Sequence, residues 1–276
     1  MSKTIKELLD ELEYNLNNAS AKVEELYKMT GEPEPIPEPT PDPEPIPEPT
    51  SDLFFGFWYS EEVPDDNPLK ALCTAGQSRS ANVKLMKPVV DSGLKVIPSI
   101  GGFEPDESEY DHRKRIGWYV NGFNTVGHEN IKFVILRDEP TKLSEQQMYN
   151  IVDEAGKQYG DLPYTFTFTR GMLLRNQFPK NLKHVGNNLY PFFDKDAPEG
   201  YIQINNYEEF RDHADAVYKN VRETIDNPQI VITAQTFYTK EGAGGNPWRK
   251  PPLESPEWYM RYARERSDVV GILFWE

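Results

Sequence analysis

Cysteine is almost missing from this chain, and positive charge is in short supply. Cys73 is the single cysteine among 276 residues, so no intrachain disulfide can form. Four histidines (His112, His128, His184, His213) are scattered along the chain, and none stands beside another histidine or the cysteine at a ligand spacing. No metal and no cofactor is expected. Lysine and arginine number 30 against 45 aspartates and glutamates, a net charge of −15. That balance repels phosphate backbones and anionic lipid, with no basic stripe to offset it, which excludes nucleic acid as a partner. No apolar run reaches the roughly 18 residues of a membrane span, so no membrane insertion is expected. The opening "MSKTIKELLDELEY" turns acidic and amphipathic at once, unlike a secretory leader. The expectation is a chain made in a cytoplasm, without a signal peptide.

What is present falls into three segments. In residues 1–30, Ile5, Leu9, Leu12, Leu16, Ala19, Val23 and Leu26 recur in alternating steps of four and three. That 3.5-residue period predicts a left-handed coiled coil, with Leu9, Leu16 and Val23 at a and the others at d. Leu at a with Ile at d favours a trimer or tetramer, so a homo-oligomer, trimer favoured, is expected through residues 1–30. A solitary amphipathic helix is the alternative. In residues 31–52 the octet PEPIPEPT occurs at 33–40 and again at 43–50, with seven acids and no base. Alternate prolines fix φ and remove donors, leaving polyproline II. Eighteen such residues would reach on the order of 55 Å as a semi-rigid spacer.

From Leu53 the pattern changes to short apolar runs alternating with amphipathic stretches. Strands are predicted at 53–60, 71–76, 94–102, 131–140, 163–170, 183–193, 229–238 and 269–276. Helical patterns lie between them at 80–93, 145–160, 207–227 and 255–268. Parallel strands with crossover helices follow from this order. Eight of them in residues 53–276 fit a (β/α)₈ TIM barrel, an α/β fold. A doubly wound open sheet competes, but "FWYSEEVPDD" after the first strand is no glycine-rich phosphate turn. The chain as written ends on the eighth strand. The groove at the position of an eighth helix is then expected to be covered by something else or left exposed, and an exposed apolar groove there would be a surface for another subunit.

In a barrel of this kind the active site lies at the carboxyl ends of the strands. The residues placed there are Trp58 and Tyr59; Arg137, Asp138 and Glu139; Arg170; Asn188 and Tyr190; Gln235 and Phe237; Trp275 and Glu276. Aromatic faces beside carboxylates and amides suit a sugar, which offers C–H faces for stacking and hydroxyls for hydrogen bonds. The endings "LRDEP", "VGNNLYPFF", "VITAQTF" and "GILFWE" together resemble glycoside-hydrolase-like TIM barrels over most of 53–276. The resemblance implies that Glu139, followed by Pro140, is the acid/base glutamate closing strand four. It further implies that Trp275 stacks on the sugar and that Tyr190 lies over the site. Trp58, Tyr59, Arg170, Asn188, Tyr190, Gln235 and Trp275 are the candidate substrate-binding residues.

One departure stands out. A retaining glycosidase needs a second carboxylate, and the resemblance would put it at the end of strand seven, where this chain carries Gln235. Three alternatives stay open: another acid serves (Asp138 or Glu276), hydrolysis is inverting, or the barrel binds sugar without cutting it. Adjacent strand residues point to opposite faces, so Asp138 is expected to face away from Glu139. Stalk, spacer and carbohydrate-type barrel without an export signal suggest a phage virion appendage directed at a surface glycan. A decoration protein with an idle barrel and a cytoplasmic glycosidase are the alternatives.

Overall fold

The computed structural model describes residues 53–57, 73–78, 80–192, 204–235 and 251–275. The expected coiled coil and linker at 1–52 lie outside the described residues, as do Trp58, Tyr59, Phe237 and Glu276.

Eight parallel strands carry the fold: β1 Phe54–Phe57, β2 Ala75–Ser78, β3 Lys95–Pro98, β4 Val134–Asp138, β5 Tyr164–Thr169, β6 His184–Leu189, β7 Gln229–Gln235 and β8 Val269–Trp275. Their order is β3-β2-β1-β8-β7-β6-β5-β4. The ring is brought nearly closed between β3 and β4 by the bridges Val96↔Ile131 and Ser99↔Ile135. There Lys132 N–H donates to Val96 O and Ile100 N–H to Ile135 O, both at 2.9 Å. Among the described residues the helices are α1 Val83–Asp91, α2 Glu109–Val126, α3 Glu145–Tyr159, α4 Arg170–Leu174, α5 Tyr207–Thr224 and α6 Ser255–Glu265. This is the architecture of a (β/α)₈ TIM barrel. None of these helices is long and apolar enough to cross a membrane.

The period-2 alternation of strand side chains splits the core in two. Phe54, Ala75, Ile97, Phe133, Ile135, Val231 and Leu273 fill the barrel interior. Residues of opposite parity, such as Val134, Phe166, Val185 and Ile232, pack outward in the larger cluster with Ile151, Val217 and Tyr259. Two glycines make the interior fit. A side chain at Gly271 would fall inside the Phe54 ring, and one at Gly56 would meet Ala75 O at 2.5 Å.

Seven strands lie inside their expected ranges, with shorter ends. The second does so only in part: it runs over Ala75–Ser78, "AGQS", starting four residues and ending two residues later than the apolar run at 71–76. Close approach to β1 demands small residues, so the apolar signal pointed to the wrong stretch. Helix α2 carries little apolar patterning and was not anticipated; it buries only His112, Ile116 and Phe123. Its start is a capping box, with Ser108 and Asp111 satisfying each other's backbone N–H. Ser144 and Gln147 start α3 in the same way.

Candidate functional site

The fourth strand ends in an irregularity that re-aims its last residues. Ile135 pairs with Thr165, but Arg137 pairs with Phe166 and Asp138 with Thr167. Leu136 is therefore the extra residue of a β-bulge, which reverses the facing of everything after it. Thr167 is an inward position of β5, so Asp138 also turns toward the barrel axis. The next residue, Glu139, adopts φ 46°, a left-handed conformation uncommon for a side chain of this size. Its N–H donates to Thr167 O at 2.7 Å, and its carbonyl accepts from Thr141 N–H at 2.6 Å, on either side of the buried Pro140.

Bulge and left-handed turn together overturn the expectation that the two carboxylates face apart. Asn188 of β6 donates through Nδ2 to Asp138 Oδ1 at 3.1 Å and to Glu139 Oε1 at 2.9 Å. One amide thus spans both acids, and those two oxygens lie no more than about 6 Å apart. Asn188 is buried, and its Oδ1 is sealed from solvent without a hydrogen-bond partner among the described residues. Both carboxylate residues are exposed, although surrounding protein atoms displace much of the water around Asp138. That dehydration, followed by the adjacent Glu139 carboxylate, pushes Asp138 up to about 6, against the lowering effect of the Asn188 hydrogen bond and Arg137.

Arg137, turned outward by the bulge, pairs through Nη1 with Glu104 Oε1 at 3.2 Å. Glu104 comes from the loop after β3, a rim carboxylate that the sequence reading passed over. That loop is fastened from behind: Glu107 bonds Arg115 and accepts from Glu104 N–H at 2.9 Å, and His112 Nε2 approaches Glu104 O at 3.3 Å. Gly101 and Gly102, at φ 46° and 76°, turn the chain into it. The glycine pair directly after a strand was the available signal.

Gln235, at the end of β7, is 1% exposed. Its Oε1 accepts from Phe192 N–H at 3.1 Å and its Nε2 donates to Phe192 O at 3.3 Å. Its own N–H donates to the Tyr259 hydroxyl, which donates onward to Leu189 O at 2.7 Å. The amide stands in for a strand partner, holding the chain as it leaves β6. Tyr190, just past that strand, is buried. Arg170 begins α4, where its charge acts on the buried His213 of α5. Burial first, then Arg170, holds that ring neutral down to about 4. The backbone of Trp275 pairs with Gln235, at the mouth end of β8. The structure thus brings Asp138, Glu139 and Asn188 into direct contact, places Gln235 and the Trp275 backbone on neighbouring strands, and brings the charge of Arg170 to bear on His213.

Two clefts lie away from the mouth. One, of about 150 Å³, runs between α2 and α3 beside Glu109, His112 and Lys157. The other, of about 430 Å³, opens at the amino ends of the strands under Phe54 and His184. Neither contains a residue of the carboxylate cluster. Among the described residues no group of His, Cys, Asp and Glu is arranged to hold a metal ion.

No protein-family model matches the sequence, and no curated protein matches it. Solved structures do. An intracellular xylanase from Thermoanaerobacterium saccharolyticum JW/SL-YS485 superposes with a TM-score of 0.53 at 8% identity, over 81% of this chain and 85% of that one. A GH113 β-1,4-mannanase gives 0.51 at 14% identity, over 82% and 87%. A β-glucuronidase from Ruminococcus gnavus in complex with D-glucaro 1,5-lactone gives 0.51 at 14%, over 74% of this chain. The chain spans only 37% of that longer enzyme. The chain is similar to these glycosidases in its barrel fold.

Proposed function

We propose that the barrel is a carbohydrate-recognising head, with Asp138, Glu139 and Asn188 as the polar floor of its sugar site. The observation that carries this is the Asn188 amide spanning two exposed carboxylates at the strand-end mouth. Carboxylates held in place by a buried amide accept hydrogen bonds from a ligand without the entropic cost of ordering free side chains. Trp275, Trp58 and Tyr59 are the aromatic groups proposed to meet the sugar's C–H faces, with Arg170 at the edge of the site, while the buried Tyr190 and Gln235 would support it from beneath. In this proposal residues 1–30 assemble the chain into an oligomer, residues 31–52 space the heads from it, and the whole forms a phage virion appendage. Display in several copies would raise the avidity of individually weak sites.

Binding is favoured over retaining hydrolysis for a geometric reason. Retaining catalysis places two carboxyls about 5–5.5 Å apart on either side of the scissile bond. Asp138 and Glu139 are consecutive residues on one strand end, and they grip the same amide. Gln235, the strand-seven residue, is an amide committed to Phe192.

One observation favours cleavage as the second reading: Asp138, at about 6, can hold a proton at mildly acidic pH and give it to a leaving oxygen. In that reading Asp138, beside Glu139 rather than in place of it, acts as general acid, and Glu276 is the remaining candidate for the second carboxylate. A glycan array probed with the intact chain, alongside reducing-end assays on the glycans it retains, separates the two. Retention without turnover, weakened by Asn188→Ala, supports recognition. Turnover that disappears in Asp138→Asn supports cleavage. An array that retains nothing refutes both.

A further inference from the structure

Helix α2 shows solvent two large aromatic rings. Tyr110 is 66% exposed and Trp118 59%, eight residues apart with Lys114 midway. Positions i, i+4 and i+8 share one helix face, and at 1.5 Å per residue the two aromatic positions lie about 12 Å apart along the axis. Arg113, Lys114 and Arg115 are also the one run of three consecutive bases in the sequence. The neighbouring acids are already engaged. Glu107 bonds Arg115, Glu109 accepts from Asn150 at 2.6 Å, and Asp111 accepts from Ser108 at 2.6 Å. Arg113 meets Glu154 at 3.5 Å yet keeps 61% of its side chain exposed. Among the described residues Lys114 pairs with no carboxylate. Its Nζ lies 5.6 Å from the Trp118 ring centre, and the Arg115 guanidinium stands 5.8 Å from the same centre. All these residues belong to the stretch 80–192, which is described without a break.

We infer that the outer face of α2 binds an acidic glycan, one carrying uronic-acid carboxylates, with Tyr110 and Trp118 stacked on sugar C–H faces and Lys114 paired with a carboxylate between them. This site lies apart from the Asp138–Glu139 cluster and does not rest on the reading of the mouth. The two rings are separate platforms set among the exposed polar side chains Asp111, Lys114 and Asn121. A protein partner is held by a continuous patch whose core is depleted of charge. A sugar chain alternates C–H faces with polar edges, and so matches rings spaced along a polar helix. Charge decides the class of glycan. The Lys114 ammonium and the loosely held Arg113 attract anions. At physiological ionic strength the screening length is about 8 Å, so a carboxylate bound here responds to these bases ahead of the acids elsewhere in the chain.

The test uses the intact chain and isothermal titration calorimetry at physiological salt. The probes are octamers of polygalacturonate, polymannuronate and hyaluronan, the fully methyl-esterified counterpart of each, and a glutamate octamer. Ester and acid differ in charge alone. The expected result is that an acidic octamer binds about tenfold tighter than its own ester, as two exposed ion pairs supply. Lys114→Gln should cut that preference to about threefold. Tyr110→Ala with Trp118→Ala should weaken the acidic octamer about tenfold by removing both stacking faces. The three side chains are exposed, and unchanged thermal melting will verify that each variant folds. Neutral glycans retained through the mouth should be held by these variants as by the parent, so failure here is distinct from failure of the mouth reading. Binding of none of the acidic octamers overturns the inference, and so does equal binding of acid and ester. A preference that survives both substitutions overturns it as well, by assigning the preference to charge elsewhere. A glutamate octamer bound as tightly as the best glycan overturns it in favour of an acidic protein partner.

Discussion

Glu139 holds a left-handed backbone at φ 46°, which costs a residue with a Cβ about 1 kcal/mol relative to a relaxed conformation. That cost is tolerated where its carboxylate meets Asn188 at 2.9 Å. Glu139→Gly removes both strain and carboxylate. We expect stability to stay level or rise by up to about 1 kcal/mol in urea denaturation, since glycine's extra unfolded-state entropy offsets part of the relief. Sugar affinity should fall at the same time. A clear loss of stability would show that the Glu139 side chain holds the strand end together. Three other groups set the pH response. Asp138 stands at about 6 in the folded chain against an ordinary 3.8, so the folded state binds more protons between these values and stability declines as pH rises through them. His213 acts oppositely: at about 4 against 6.5, its contribution is whole above 6.5 and lost as pH falls toward 4. His184, lowered to about 4 chiefly by burial, adds in the same direction. His213 is 6% exposed whereas Asp138 is open, so the histidine effect prevails, at about 3 kcal/mol between pH 7 and 4. Urea denaturation across that range should show the decline, with a slope roughly halved in His213→Met. An unchanged slope would place the titrating groups elsewhere.

At the scale of elements, the strand ends do unlike jobs. The end of β7 is structural: Gln235 offers Phe192 both an acceptor and a donor. Gln235→Glu keeps the acceptor, loses the donor and faces a carboxylate toward a carbonyl in a site 1% exposed. The expected loss is roughly 2–3 kcal/mol in chemical denaturation, with no gain of hydrolytic activity. A variant of full stability that cleaves glycans would reverse this assignment of the strand-seven position. These same elements explain what could be read from the sequence. "FVILRDEP" announces a buried strand ending in polar residues because burial and chain termination are local signals. The facing of Asp138 is not local; it depends on the register against β5, where Leu136 becomes the extra residue. Alternation alone therefore placed the two acids on opposite faces. The commitment of Gln235 to Phe192, 43 residues away in sequence, was equally beyond a residue-by-residue reading. Strand β2 was displaced because "AGQS" is selected for closeness to β1, which apolarity does not report. Helix α2 lacked a strong apolar stripe, yet its capping box "SEYD" stood in the sequence as a start signal.

In the whole molecule a barrel head would be carried on two segments that lie outside the described residues. A single mouth built on two carboxylates and one amide engages few ligand groups, so its affinity for one glycan end should be weak. Linking several heads makes each later contact intramolecular, and avidity can then exceed single-site affinity by about 10²–10⁴ where the spacer spans the distance between glycans. The apolar seam of residues 1–30 is what would couple the copies. Its a and d positions have nothing to pack on in a lone helix of this length, which is marginal in water. Light scattering of the intact chain should therefore give a multimer, with a trimer expected from the Leu and Ile distribution. Replacing Leu12 and Leu16 with aspartate places unpaired charge in the seam and should return monomers. On a glycan-coated surface those monomers should dissociate at least about a hundredfold faster than the parent, while calorimetry with a soluble oligosaccharide gives the same affinity per head for both. Monomeric parent protein would remove the stalk from the proposal. A multimer with no slower dissociation than its monomer would leave the oligomer in place and withdraw avidity as its purpose.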